Sequence, residues 1–289
     1  MDALYLILII LGIAAQNVTR KIYSKSSSGG AYTFSALSAL VALSFFAISG
    51  GSDLHFTWKI LPHAIGFAAT YSLSIVFTFL SIKEGPLSLT SLVTSYSLLI
   101  PTIYGLIAWG ESFSLLFAIG LALLIVSIFL IRMEPKAEKD QIEKKRLTPK
   151  WLLYVILAFI GSGGCSAVQK GQQLAFNGTY KNEFMIVALG ITFVAITICA
   201  LCFEKKETLT HAKRGLYLYV ICGAANGAVN LMVMILSLRM PASVMFPIIS
   251  AGGILVSAII SMTFYKERLS NLQKVGLLLG VMSIVILNI

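Results

Sequence analysis

The chain has 289 residues, of which 57% are hydrophobic and only 12% charged, and its mean hydropathy is +0.89. Soluble domains are about 45–50% apolar and about 25% charged, so this chain carries too few charges to cover a water-facing surface, which excludes a soluble enzyme. The formal charge of +10 sits in no basic, aromatic-laced stretch, which excludes a nucleic-acid-binding domain and leaves the charge to be read by position.

A helix needs about 20 apolar residues to cross a bilayer. Ten such segments follow in chain order, over 3–18, 32–49, 61–82, 87–109, 115–131, 151–169, 184–203, 215–238, 242–264 and 275–289. Their apolar runs are continuous and not alternating, which excludes a β-barrel. The first lacks a basic leader and a cleavage site, and reads as a retained span. Pro62, Pro86, Pro149 and Pro241 stand at span starts, where a missing N–H costs nothing, with Thr148 as the predicted cap before Pro149. Ser270 and Gln273 have the spacing of a capping box for the last span. Pro101 and Pro247 fall inside spans and are expected to kink them. Cys165, Cys199, Cys202 and Cys222 all lie in apolar runs and read as small packing residues, not as disulfides or metal ligands. His55, His63 and His211 lie in or beside loops, and no catalytic or nucleotide-binding motif is present. The expectation is a non-enzyme with neither cofactor nor metal.

Lysine and arginine fall unevenly between the spans. The odd-numbered connections carry 18 and the even-numbered ones only Lys59, Lys170, Lys181 and Arg239. The positive-inside rule then predicts cytoplasmic odd connections and both termini outside, in a multi-pass protein of the cell membrane. The third connection, 132–150, carries eleven charges of both signs and reads as a cytoplasmic linker between residues 1–131 and 151–289.

The two halves resemble each other. At an offset of 156, ESFSLLFAIGLALLIVSIFLI from Glu111 aligns with ERLSNLQKVGLLLGVMSIVIL from Glu267, with eight of 21 positions identical, including Gly120/Gly276 and Ser127/Ser283. At an offset of 149 the first spans align and Lys21 falls opposite Lys170. Five spans per half is an odd number, so the second half is predicted to cross the membrane the opposite way up. The expected fold is an all-α polytopic membrane protein built as a 5+5 inverted repeat.

With GPLSLTSLVTSYSLLIP and WGE in the first half and MPASVMFPIISAGGILVSAIISMTFYKERLSNLQKVGLLLGVMSIVIL in the second, the chain resembles EamA-type members of the drug/metabolite transporter superfamily over nearly its whole length. That resemblance implies a cavity between the halves, lined by spans one, three, four, six, eight and nine. The second half is also similar to the small multidrug resistance proteins, which carry a first-span carboxylate eight residues before a lysine. The equivalent positions here are Ile13 and Ser162, a departure that argues against simple carboxylate-based antiport.

The residues lead to similar positions. Thr70, Ser74 and Ser81 share one face of span three, and the 156 offset places Asn226, Asn230 and Ser237 equivalently on span eight. Buried amides are harder to satisfy by packing than hydroxyls, so Asn226 and Asn230 are read as cavity lining, and Thr70 and Ser74 as either lining or interhelical bonds. Gln16 and Asn17 are adjacent amides that either line the cavity or cap or snorkel at the end of their span, and Tyr71 and Tyr96 either offer the cavity aromatic faces with hydroxyl handles or serve as core packing or interface anchors. Trp109 and Trp151 are expected at the membrane interface, with Lys21 and Lys170 snorkelling towards water. No Asp or Glu falls in the middle of any span, which favours a neutral, zwitterionic or aromatic-caged cationic solute.

The expected function is secondary transport of a small polar, zwitterionic or amine metabolite by alternating access. The expected partners are that small molecule and the lipid bilayer, in a monomer with a homodimer as the alternative. The rival reading is a non-transporting membrane receptor or assembly scaffold.

Overall fold

The computed structural model describes residues 1–26, 30–84, 93–94, 96–111, 115–132, 148–205, 208–264 and 271–287. Among these every regular element is helical. The long helices are α1 (Asp2–Ser26), α2 (Ala31–Gly50), α3 (Leu61–Glu84), α4 (Leu99–Ala108), α5 (Leu115–Arg132), α6 (Pro149–Ala175), α7 (Lys181–Phe203), α8 (Leu216–Ser237), α9 (Ala242–Phe264) and α10 (Asn271–Leu287). A seven-residue helix, Thr208–Arg214, lies between α7 and α8. Six helices among the described residues, α1, α2, α3, α6, α7 and α8, are long and apolar enough to cross a membrane.

Local chemistry sets several boundaries. Thr148 caps α6 as expected: its hydroxyl accepts the Trp151 N–H at 3.1 Å and Pro149 occupies the first turn. Pro101 departs from expectation. A 3₁₀ turn, Tyr96–Leu98, precedes α4, so Pro101 sits in the first turn of a helix that starts at Leu99, where its absent N–H has no partner to lose. Pro247 does lie inside α9. The capping box at Ser270 falls outside the described residues. Gly30 enters α2 with φ of 84° against the Tyr23 hydroxyl, a conformation and a closeness that only glycine allows.

Helix pairs pack as α3 with α6, α1 with α8, α2 with α7, and α5 with α10. Further contacts join α2 to α8, α3 to α7, α1 to α9, and α4 to α6. Two crossings depend on glycine: Gly161 lies against the α3 backbone at Thr70 and Ser74, and Gly223 lies against the α2 backbone at Ser38. Such close approach is how helices associate where lipid removes the usual hydrophobic drive. Between α5 and α10, Ser127 donates to the Gly276 carbonyl at 2.6 Å and Ser283 donates to the Gly120 carbonyl at 2.8 Å.

The largest apolar cluster joins α2, α3, α7 and α8 through Phe46, Phe67, Phe184, Leu189 and Met234. Outward faces expose Ile7, Leu11, Ile107, Phe129, Leu153, Val194 and Leu201. An apolar outside of this extent fits lipid, not water. Trp151 is not the interface anchor expected of it, because it is buried inside the bundle at 5% exposure. The strongly exposed tryptophan is Trp58, just before α3. Cys165 and Cys222 are buried as packing residues, whereas Cys202 faces outward.

Candidate functional site

A chain of amides crosses the interior. Gln169 on α6 donates to both the backbone carbonyl and the side-chain oxygen of Asn230 on α8, at 3.1 and 3.2 Å. Asn230 donates one turn back to the Asn226 carbonyl and side-chain oxygen at 2.9 and 3.1 Å, and Asn226 donates to Gln16 Oε1 on α1 at 3.1 Å. All four side chains are buried. A buried amide left unpaired costs about 1–3 kcal/mol, so the chain holds α1, α6 and α8 in register while keeping polar groups in the centre of an apolar bundle.

One end of this chain borders a partly open cleft lined by Arg20, Phe34, Ser35, Ser38, Tyr71, Ile75, Cys222 and Asn226, with room for about one water. Arg20 lies one helical turn beyond Gln16 on the same face of α1. The Ser38 hydroxyl is buried there with no hydrogen-bond partner.

At the other end of the chain, the residue after Gln169 forms an ion pair. Lys170 Nζ lies 2.8 Å from Glu111 Oε1 and 3.0 Å from the Met240 carbonyl, above the Trp109 ring at 5.3 Å. The Glu111 carboxylate also accepts from the Ala242 and Ser243 N–H groups, at 2.6 and 2.8 Å, which open α9. A carboxylate at that position satisfies orphan donors and meets the positive end of the helix dipole. Gly110, with φ of 63°, ends α4 and turns the chain so that the Glu111 N–H returns to the Gly105 carbonyl at 3.2 Å. Burial works to raise the Glu111 carboxyl, but the Lys170 ammonium and the two backbone donors outweigh it and hold the group below its ordinary value.

Lys170 therefore does not snorkel. It is 2% exposed and paired, because the carboxylate and a carbonyl lie within reach inside the bundle. Lys21, its counterpart by sequence, and Glu267, the counterpart of Glu111, lie outside the described side chains. Of the expected lining residues, Gln16, Asn226 and Asn230 meet in the amide chain, and Tyr71 lies beside Asn226 on the cleft. Asn17 faces outward from α1, Ser74 is half-buried, and Tyr96 opens the 3₁₀ turn before α4. The Thr70 hydroxyl is spent on its own helix, on the Gly66 and Phe67 carbonyls at 2.8 and 3.1 Å; Ser81 and Ser237 likewise bond one turn back. Gln169, Arg20, Ser38 and Glu111 escaped the sequence reading as site residues. For the first two a signal existed, since both immediately precede the matched lysines at the 149 offset.

Apolar helices long enough to cross a bilayer, with lipid-suited outer faces and a bonded polar centre, fit a multi-pass membrane protein. The family model described as "Sugar transport protein" matches residues 8–289, and the chain belongs to that family. A matching solved structure, described as "Crystal structure of protein", is 14% identical with a TM-score of 0.74, over 99% of this chain and 94% of that one. At that identity the likeness shows the fold alone. No curated protein matches the sequence.

Proposed function

We propose that this protein is a secondary transporter that moves a small polyhydroxy solute, a monosaccharide or a close derivative, by alternating access between two inverted five-helix halves. The single observation that carries the reading is the amide chain from Gln16 through Asn226 and Asn230 to Gln169. Each amide carries both donors and acceptors, now bonded within the chain, and sugar hydroxyls are groups that can exchange with such bonds; the family match supports the same solute class.

The packing supports the two-halves geometry. Exchanging α1 with α6, α2 with α7, α3 with α8, α4 with α9 and α5 with α10 turns the contact α1–α8 into α6–α3, α2–α8 into α7–α3, and α1–α9 into α6–α4. The same exchange turns the Ser127–Gly276 bond into the Ser283–Gly120 bond. Ten spans in two halves, as in the EamA-type proteins that the sequence resembles, account for this pairing. The Lys170–Glu111 pair, at the other end of the amide chain from the cleft near Arg20, is a candidate gate for one side of the bundle. Exchange between such states is the motion that carries a solute across.

The test is uptake of labelled monosaccharides into proteoliposomes containing the full chain. Saturable uptake that is lost in Asn226→Leu and Asn230→Leu is the expected result. A protein that binds sugar but gives no flux is a receptor and overturns the reading.

A further inference from the structure

Among the described residues, the cleft is lined by a cation and donors without a counter-charge. Its lining includes Arg20 and no carboxylate, and no ion pair among the described residues engages that guanidinium. Ser38 is 8% exposed and its hydroxyl is unpartnered. The two side chains come from different helices, α1 and α2, and converge on one hollow with Tyr71 of α3 and Asn226 of α8.

A guanidinium unpaired among the described residues, on the same cleft as a buried hydroxyl with no partner there, is an arrangement for a group that only accepts hydrogen bonds. A neutral hydroxyl would satisfy Ser38 and leave the charge of Arg20 uncompensated in a half-apolar wall of Phe34, Ile75 and Cys222. Water would do the same. An oxyanion satisfies both, and the planar fork of arginine matches a carboxylate or a phosphate with two parallel bonds. The adjoining Asn226 amide then lies in place for the hydroxyls of the same solute.

We propose that this cleft seats the oxyanion of an acidic sugar, with Arg20 as its counter-ion and Ser38 as the hydroxyl donor. The proposal rests on the transporter reading above and names the substrate class of that site. A sugar carboxylate and a sugar phosphate share the required chemistry, so both are tested.

The full chain, purified in detergent, is heated with equal concentrations of glucose, glucuronate and glucose 6-phosphate, and uptake of the labelled forms is measured in proteoliposomes. A ligand that binds the native state raises the melting temperature. The expected result is a larger shift with one of the acids than with glucose. Arg20→Gln should remove that excess while keeping the glucose shift, weakening acid binding by about tenfold or more, as loss of one charge-assisted bond implies. Arg20→Lys should restore it in part, and Ser38→Ala should weaken the acid selectively. A response confined to glucuronate assigns the carboxylate, and one confined to glucose 6-phosphate the phosphate. Equal shifts for glucose and both acids, or an acid preference that survives in Arg20→Gln, overturn the proposal and leave the transporter reading standing. If Arg20→Gln does not fold, an acid preference unchanged in Ser38→Ala overturns it as well. Neither binding nor uptake of any of the three sugars sinks the transporter reading and this inference with it.

Discussion

Lys170 and Glu111 are 59 residues apart in sequence and meet 2.8 Å apart inside the bundle, with side-chain exposures of 3% and 10%. The pair joins α6 to the connection after α4, and through the Ala242 and Ser243 N–H groups it also fixes the start of α9. The pair therefore ties three segments of the bundle together through one carboxylate.

Removing one partner should therefore cost more than removing both. Lys170→Met leaves a buried carboxylate unpaired and is expected to destabilise by about 3–5 kcal/mol. The double variant Lys170→Met/Glu111→Gln should recover much of that loss. Thermal melts of the four proteins in a double-mutant cycle measure the coupling, and additive effects would show that the pair is not coupled.

The same pair sets an acid limit. The Glu111 carboxyl is held below its ordinary value of 4.5, so its stabilisation is fully present above that value and is lost as pH falls through the lowered one. Acidification should lower the melting temperature of the wild type more steeply than that of Glu111→Gln. Parallel pH profiles for the two proteins would contradict this.

Thr70 and Asn226 align at the 156-residue offset and should behave differently. Thr70→Val removes a hydroxyl that bonds only to its own helix, and is expected to leave uptake near wild type. Asn226→Leu removes the link between Gln16 and Asn230 and should abolish uptake at normal expression. Equal loss in both variants would refute the distinction.

Gly161 lies against backbone atoms of α3, which cannot rotate away as a side chain can. Gly161→Ala should separate α3 from α6 at a cost of about 1–3 kcal/mol, the range for overpacking. Gly253→Ala, where the added carbon meets nothing, is the control. A melting temperature unchanged in both would show that the crossing tolerates the extra methyl.

Orientation is open to direct test. In a background with the outward-facing Cys202 replaced, a cysteine introduced as Asp140→Cys in the charged connection should react with an impermeant reagent only from the cytoplasmic side. Labelling from the outside alone would reverse the proposed topology.

Much of the helical division was legible from hydropathy, because a segment that must satisfy its own backbone in lipid has to be one continuous apolar helix. Thr148 was legible for a similar reason, since a cap acts within one turn. Pro101 was misread because its effect depends on where the helix begins, and a 3₁₀ turn moves that start to Leu99. Trp151 and Lys170 were assigned to the membrane interface from residue type, yet each found a place inside that composition does not reveal. Among the candidate site residues, Asn226, Asn230 and Gln16 could be selected as amides that need partners, whereas Asn17, one position from Gln16, turned outward by the helical rotation of about 100° per residue.

The sequence by itself determined that this is a chain for lipid and roughly where most of its helices fall, because apolar length is a local property. Only the tertiary structure decided that Gln169 completes the amide chain, that Lys170 pairs with Glu111, and that Arg20 and Ser38 share a cleft. Those relationships join residues tens to hundreds of positions apart, and the partner that a polar side chain finds in an apolar bundle is set by which helices pack side by side.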